Sequence, residues 1–387
     1  MAQPRKKDRG NMTEMASYAM QESLSRGRRF PEDDHSYRSI FMRDRDRVTH
    51  SRAFRRLEYK TQVFVNHEGD HFRTRLTHSL EVSQISRTIA TSMGLNFDLS
   101  EVLALSHDLG HTPFGHTGEE VLNGLMVSDG GFEHNRQSLR IVEVLEERYA
   151  GFPGLNLSYE VREGILKHSA KFDKAKVPDM VEYNLDEQPL LEVQLVDLAD
   201  EIAYNTHDVD DGVESKILDL DDLLQNVRSF QQFFEVAGGK FPKATRRQLF
   251  NEALRGVIDF FVTNLIDHST RTLKEEGIQS IEDVRTCGHR LIGFDPQAAE
   301  WALNLRSYLR THLYLHHRVA VAMEKARRCL RDLFVAYQNN PTLLPQRHRS
   351  KIAQGGKERV ICDYLSGMTD RYAYQEHRRL FTAEEHI

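Results

Sequence analysis

Between Leu190 and Asp211 the chain reads LLEVQLVDLADEIAYNTHDVDD. Leu191, Leu195, Leu198 and Ile202 recur at spacings of three and four, the period of one helix face. Asp197, Asp200, Tyr204, Asp208 and Asp211 keep the same spacing and so form one stripe of that helix. Leu195, Val196, Leu198, Ala199, Ile202 and Ala203 cover most of the remaining circumference, which predicts a central helix. The acidic stripe then has two readings. Either it faces water, or its carboxylates are paired or metal-bound, because an isolated buried carboxylate is expensive. The apolar surround favours the second.

The same period recurs on both sides of this stretch. Leu76, Leu80, Ile85 and Ile89 carry it, as do Val102, Leu103, Leu105 and Leu109. Alternating stretches are rare, and Thr61 to Val65 is the best strand candidate. Breakers fall at Gly94, Gly110 to Pro113, Gly130-Gly131, Gly151 to Gly154, Pro189 and Gly238-Gly239. The pattern predicts an all-α fold of many helices with short connections. A soft division falls near Gly238-Gly239. It separates a basic N-terminal arm (1–40) and a core (41–237) from an additional C-terminal helical region (238–387) that packs on the core.

Composition bounds the function. With 387 residues, 39% of them hydrophobic, the chain is long enough to bury a core and too apolar for a disordered protein. No run approaches the ~18 apolar residues of a membrane span. Met1 to Glu14 holds no apolar segment of a secretory signal. The 3 cysteines, Cys287, Cys329 and Cys362, form no CxxC pair, which argues against a disulfide scaffold or a cysteine zinc site. A cytoplasmic protein without a membrane partner is expected. Residues 1–60 carry a net +6 and the remainder −12. This asymmetry suits either a solvated arm or an anionic partner met at that end.

Seven of the 19 histidines lie between His67 and His134. His107-Asp108 closes an apolar helical run that Gly110 terminates. His78 sits on a predicted helix from Arg75 to Ala90. Two imidazoles, His78 and His107, with two carboxylates, Asp108 and Asp200, make a mixed N/O set. Such a set suits one divalent ion, Mn, Mg, Fe, Co or Ni, with coordination positions left open.

These residues carry a resemblance. His78, His107-Asp108 and Asp200 resemble the H…HD…D ligands of the HD-domain metal-dependent phosphohydrolases. The strings SRAFRRLEYKTQVF (Ser51 to Phe64), RTRLTHSLEV (Arg73 to Val82), HDLGHTPFGHTGEE (His107 to Glu120), GGFEHNRQSLRIV (Gly130 to Val142) and DLADEIAYNTHDVDD (Asp197 to Asp211) narrow it. In that order, with GMTDRYAYQEHRRLF (Gly367 to Phe381), they are similar to the deoxynucleoside triphosphate triphosphohydrolases, and most to the bacterial dGTPase-like proteins. The resemblance implies attack of water on the α-phosphorus, giving a deoxynucleoside and triphosphate. It implies that His116 protonates the leaving oxygen, with Glu119 orienting it. His111 and His134 follow as candidates for phosphate contact or proton transfer. Arg52, Gln62 and Arg75 are implied near the nucleotide, Arg75 being the best phosphate ligand. Tyr204 and Asp208 resemble the pair that packs on and hydrogen-bonds the sugar. Relatives form tetramers or hexamers, so a homo-oligomer is expected, with a dNTP substrate and a candidate dNTP effector.

Two rivals stand beside this reading. Another HD phosphohydrolase, a nucleotidase or phosphodiesterase, would use the same residue types. A nucleic-acid-binding regulatory HD protein would explain the basic arm and the Arg347, His348, Arg349 and Lys351 cluster, with single-stranded nucleic acid as its candidate partner.

Overall fold

The computed structural model describes residues 15–62, 72–169 and 178–383. Helices α1 (Ile40–Thr49) and α2 (Arg52–Arg56) lead into α3 (Arg75–Met93), α4 (Phe97–Ser106), α5 (Gly115–Leu125), α6 (His134–Arg140) and α7 (Tyr159–Lys167). The long central helix follows as α8 (Leu191–Glu214), then α9 (Leu220–Asn226), α10 (Arg228–Lys240), α11 (Arg246–Glu275), α12 (Ile281–Thr286) and α13 (Pro296–Leu309). The chain closes with α14 (His317–Asn339), α15 (Gln346–Arg349), α16 (Ile352–Gly355), α17 (Lys357–Ser366) and α18 (Asp370–Phe381). Among the described residues, β structure amounts to three isolated bridges, so the fold is all-α. The strand candidate contributes one of them, Thr61 with Thr74, and its residues 63–65 lie outside the described residues. No helix among the described residues is long and apolar enough to cross a membrane.

Helix α8 is central for the reason its sequence implies. Leu191, Leu195, Val196, Ala199, Ile202 and Ala203 are each at most 2% exposed. Each fully buried leucine or isoleucine contributes about 1.5–3 kcal/mol. Helices α3, α4, α11 and α13 pack around it. The acidic stripe does not face water: Asp197 meets Arg290, Asp208 meets Tyr314, Asp200 lies 2.8 Å from His78, and Asp211 lies 2.7 Å from Arg73. A second apolar cluster joins Phe114 and Leu122 to Leu330, Phe334, Ile361 and Leu365, bringing α5 against α14 and α14 against α17.

Two expectations need correction. Gly238 and Gly239 do not break the chain; both lie inside α10, and Phe250, Val257 and Trp301 beyond them belong to the same core cluster as α3, α4 and α8. The helix continues because Phe230 and Ala237 anchor its buried face. The described part of the basic arm is not a solvated tail either. Ala19 and Met20 are buried, Met20 N donates to Glu192 Oε1 at 3.0 Å, Arg28 pairs with Asp44, and Arg29 lies 2.9 Å from Glu182. Those two cations are thus spent on the chain's own acids, while Met1 to Glu14 lie outside the described residues.

Candidate functional site

Three helices of the main core deliver the N/O cluster. Thr74 caps α3 with its side chain, which fixes the first turn and places His78 one turn in. His107 is the C-terminal cap of α4, and Asp108 follows it. Asp200 comes from the middle of α8. His78 Nε2 lies 2.8 Å from Asp200 Oδ1, and His107 Nε2 lies 3.3 Å from Asp108 Oδ1 and 3.7 Å from Asp200 Oδ1. His78, His107 and Asp108 are nearly inaccessible, while the Asp200 side chain keeps 26% of its surface open. The carboxylate that His78 meets is thus 122 residues away in sequence.

The tautomer of His107 follows from one contact. Its Nδ1 lies 2.7 Å from Ala104 O, a carbonyl that only accepts, so Nδ1 carries the proton and Nε2 presents a lone pair. That Nε2 is buried, has no hydrogen-bond partner, and looks at two carboxylates. A lone pair facing two anions is repulsive unless a cation lies between them. The donor set therefore fits a divalent ion that accepts imidazole and carboxylate together. Burial works to raise both carboxyls. Even so, Asp200 is held well below the usual range by hydrogen bonds from His168 and His78, and Asp108 by the charge of Arg75 and by His111.

The cluster opens into a cavity of about 670 Å³. A tight turn forms one wall, with Phe114 and Gly115 both left-handed at φ 63° and 59°. Arg75 Nη2 stands 3.1 Å from where a Gly115 Cβ would be, so a side chain there would crowd the guanidinium. Helix α5 starts at this turn and carries His116 and Glu119. Glu119 Oε1 lies 2.9 Å from His134 Nδ1 and also accepts the His134 backbone N–H at 3.0 Å. Its other oxygen is 3.5 Å from Nδ1 of His116, whose side chain is 69% exposed. Glu119 thus grips His134 more closely than the His116 it was expected to orient. Burial works to lower the His134 pKa, yet the Glu119 hydrogen bond and charge raise it. His111 is pushed well below its usual value by burial and the nearby Arg75 charge; its Nδ1 lies 2.9 Å from Asp108 Oδ1.

The other expected residues divide. Gln62, Arg75 and Tyr204 line the cavity, and Arg75 also holds Asp108 Oδ2 at 2.9 Å. Arg52 does not; it lines a separate cavity with Arg56, Arg347 and Lys351. Helical spacing fixed its neighbours on α2 but not the direction that α2 faces. Asp208 stands behind the wall, accepting a hydrogen bond from Tyr314, whose ring stacks on Tyr204 at 6.1 Å. Sequence reading missed His168 and Tyr314. His168 Nδ1 lies 2.5 Å from Asp197 Oδ1 and its Nε2 3.7 Å from Asp200 Oδ2. His168 follows a short helix with no motif around it, and Tyr314 ends the π-helical turn Arg310–Tyr314, which no pattern in the sequence announces.

Fold and site together define a hydrolase of the HD class. Residues 75–205, which contain all four cluster residues, match the HD domain family, and residues 292–379, which contain Tyr314, match the phosphohydrolase-associated domain. The chain is 48% identical over 373 residues to a deoxyguanosinetriphosphate triphosphohydrolase-like protein of Azoarcus sp. (strain BH72), covering 96% of this chain and 98% of the relative. It is 48% identical over 381 residues to the protein so named in Geobacter metallireducens, covering 97% of each. The one in Thiobacillus denitrificans is 49% identical over 371 residues, covering 96% of this chain and 98% of the relative. The chain belongs to this deoxyguanosinetriphosphate triphosphohydrolase-like family.

Proposed function

We propose that the protein is a divalent-metal-dependent dNTP triphosphohydrolase that releases a deoxynucleoside and intact triphosphate. The observation that carries this is the single cavity joining the two matched segments. It has the His/Asp cluster at its base, the His134–Glu119 pair on one side and the Tyr204–Tyr314 stack on the other. The names of the relatives supply the substrate class.

In this reading His78, His107, Asp108 and Asp200 hold one ion, which when bound neutralises phosphate charge and lowers the pKa of a coordinated water. Arg75 fixes one Asp108 oxygen with a single nitrogen, and its buried Nε, free of any partner, is left to donate to phosphate. His111 holds the other Asp108 oxygen and so keeps that carboxylate oriented. Glu119 raises the His134 pKa beside the cavity, and the exposed His116, 3.5 Å from the other Glu119 oxygen, gives a proton to the leaving 5′-oxygen. Tyr204 packs on the deoxyribose, and Asp208 acts through Tyr314, which it holds against Tyr204.

Chromatography of products from metal-loaded protein, incubated with each dNTP singly and in mixtures, tests the proposal. Triphosphate and deoxynucleoside are expected in equal amounts. Release of pyrophosphate or single phosphate would point to the nucleotidase or phosphodiesterase reading, and absence of turnover in every mixture to a regulatory protein.

A further inference from the structure

Outside the cavity, the connection from α11 through α12 gathers donors of a different kind. Glu276 is the C-cap of α11, Cys287 is the C-cap of α12, and His289 follows two residues later. Between the last two, Gly288 takes a left-handed φ of 80°, which folds His289 back beside Cys287. Cys287 Sγ lies 3.3 Å from Glu276 Oε2 and 3.8 Å from His289 Nε2, and that nitrogen is 2.9 Å from Glu276 Oε1. In a tetrahedral site with ordinary zinc bond lengths, the S–O and S–N edges are about 3.6 Å and the N–O edge about 3.4 Å. The sulfur–nitrogen separation lies near its edge, and the two carboxylate contacts, made by different Glu276 oxygens, each fall within about half an ångström of theirs.

Exposure and chemistry agree with this geometry. The His289 and Glu276 side chains are 56% and 34% exposed, so an ion can enter from solvent and the fourth position faces water. A thiolate, an imidazole and a carboxylate together select zinc-like ions over magnesium or manganese. The N/O cluster of the cavity has no sulfur donor.

We propose that Glu276, Cys287 and His289 form a second metal site, taking a zinc-class divalent ion with water as the fourth ligand. Binding releases the Cys287 proton to solvent and leaves a sulfur–metal bond. The site clips α11 to the chain after α12 and keeps its fourth position open to water. The next residue, Arg290, pairs with Asp197, and Asp197 holds His168 on the cavity wall. The clip therefore steadies the anchor of that wall from behind. It does not depend on which nucleotide the cavity accepts.

The test is a Co²⁺ titration of the full-length protein after chelator treatment. A thiolate ligand gives a sulfur-to-cobalt charge-transfer band in the near ultraviolet, which an N/O site lacks. Cys329 and Cys362 are buried, leaving Cys287 as the accessible thiol. The band should saturate by two Co²⁺ per chain, one ion being taken by the cavity cluster without a band, vanish in Cys287→Ser, need at least tenfold more Co²⁺ in His289→Ala, and be displaced by Zn²⁺. Absence of the band in the unmodified chain, or its persistence in Cys287→Ser, overturns the proposal.

Discussion

His107 shows how a single side chain is committed by its neighbours. The Ala104 carbonyl accepts a hydrogen bond from Nδ1–H, and burial lowers the pKa of the ring, so Nε2 is left as a bare lone pair. His107→Ala and Asp200→Ala are each expected to lose the bound ion and turnover together, read by metal analysis and product release on one preparation. Full metal occupancy in both variants would sink the ligand assignment. His107, Asp108 and Asp200 could be read from sequence because two are adjacent and the third lies on a strict helical stripe. His168 could not, since its partners Asp197 and Asp200 come from another helix and no short-range pattern joins them. Asp208 gives a pH-dependent case. Burial raises its carboxyl to about 7, against the Tyr314 hydrogen bond that favours the charged form. A folded pKa above the unfolded 3.8 gives stability that is full below 3.8 and is lost as pH rises through about 7. Asp208→Asn stays neutral throughout. Its melting temperature relative to the parent should therefore climb between about pH 4 and 7 and level off above, a comparison that a thermal scan series makes directly. A constant difference across that range contradicts the burial argument.

At the scale of the element, glycines separate what packing demands from what local pattern suggests. A Cβ on Gly118 would stand 2.1 Å from Pro113 O and 2.4 Å from Thr112 Oγ1. Helix α5 is thus pressed directly onto the turn that carries it. Gly118→Ala should destabilise the fold by about 1–3 kcal/mol, the usual cost of overpacking, and shift His116 and Glu119 with the helix. Its melting temperature and turnover should fall together. Gly238 and Gly239 look like stronger breakers in the sequence, yet nothing lies within 4 Å of a Cβ at either. Both sit in α10 with room to spare, so each change to alanine should stabilise by about 0.5–1 kcal/mol. A lower melting temperature in the double variant would mean that the glycines serve a conformation other than this helix. The sequence overstated this break because a Gly-Gly pair reports local cost only, and the buried face of Phe230 and Ala237 offsets that cost.

Across the whole molecule, α18 holds the turn that walls the cavity. Asp370, the first residue of α18, accepts the backbone N–H of Thr61 at 2.8 Å through one oxygen and that of Phe114 at 2.9 Å through the other. Beside it, the buried Lys60 ammonium donates to His111 O and, at 2.9 Å, to Ser366 O. Phe114 sits in the left-handed region, which a bulky residue occupies only under constraint, and the Asp370 bond is part of that constraint. No local pattern announces this link; the similarity of Gly367 to Phe381 to the family marks the segment but not what it touches. Asp370→Ala leaves two buried donors without an acceptor, at about 1–3 kcal/mol each. Those donors lie in the segments before α3 and α5. The four cluster residues come from α3, α4 and α8 and keep their own packing. Asp370→Ala should therefore retain its metal while losing thermal stability and at least tenfold in kcat, because His116 and Glu119 ride on the loosened turn. Asp370→Asn, which keeps one acceptor oxygen, should fall between. Metal content, melting temperature and turnover measured together separate the outcomes. If kcat is unchanged despite the lost stability, the turn is held from within; if metal is lost with activity, the C-terminal helices support the cluster itself.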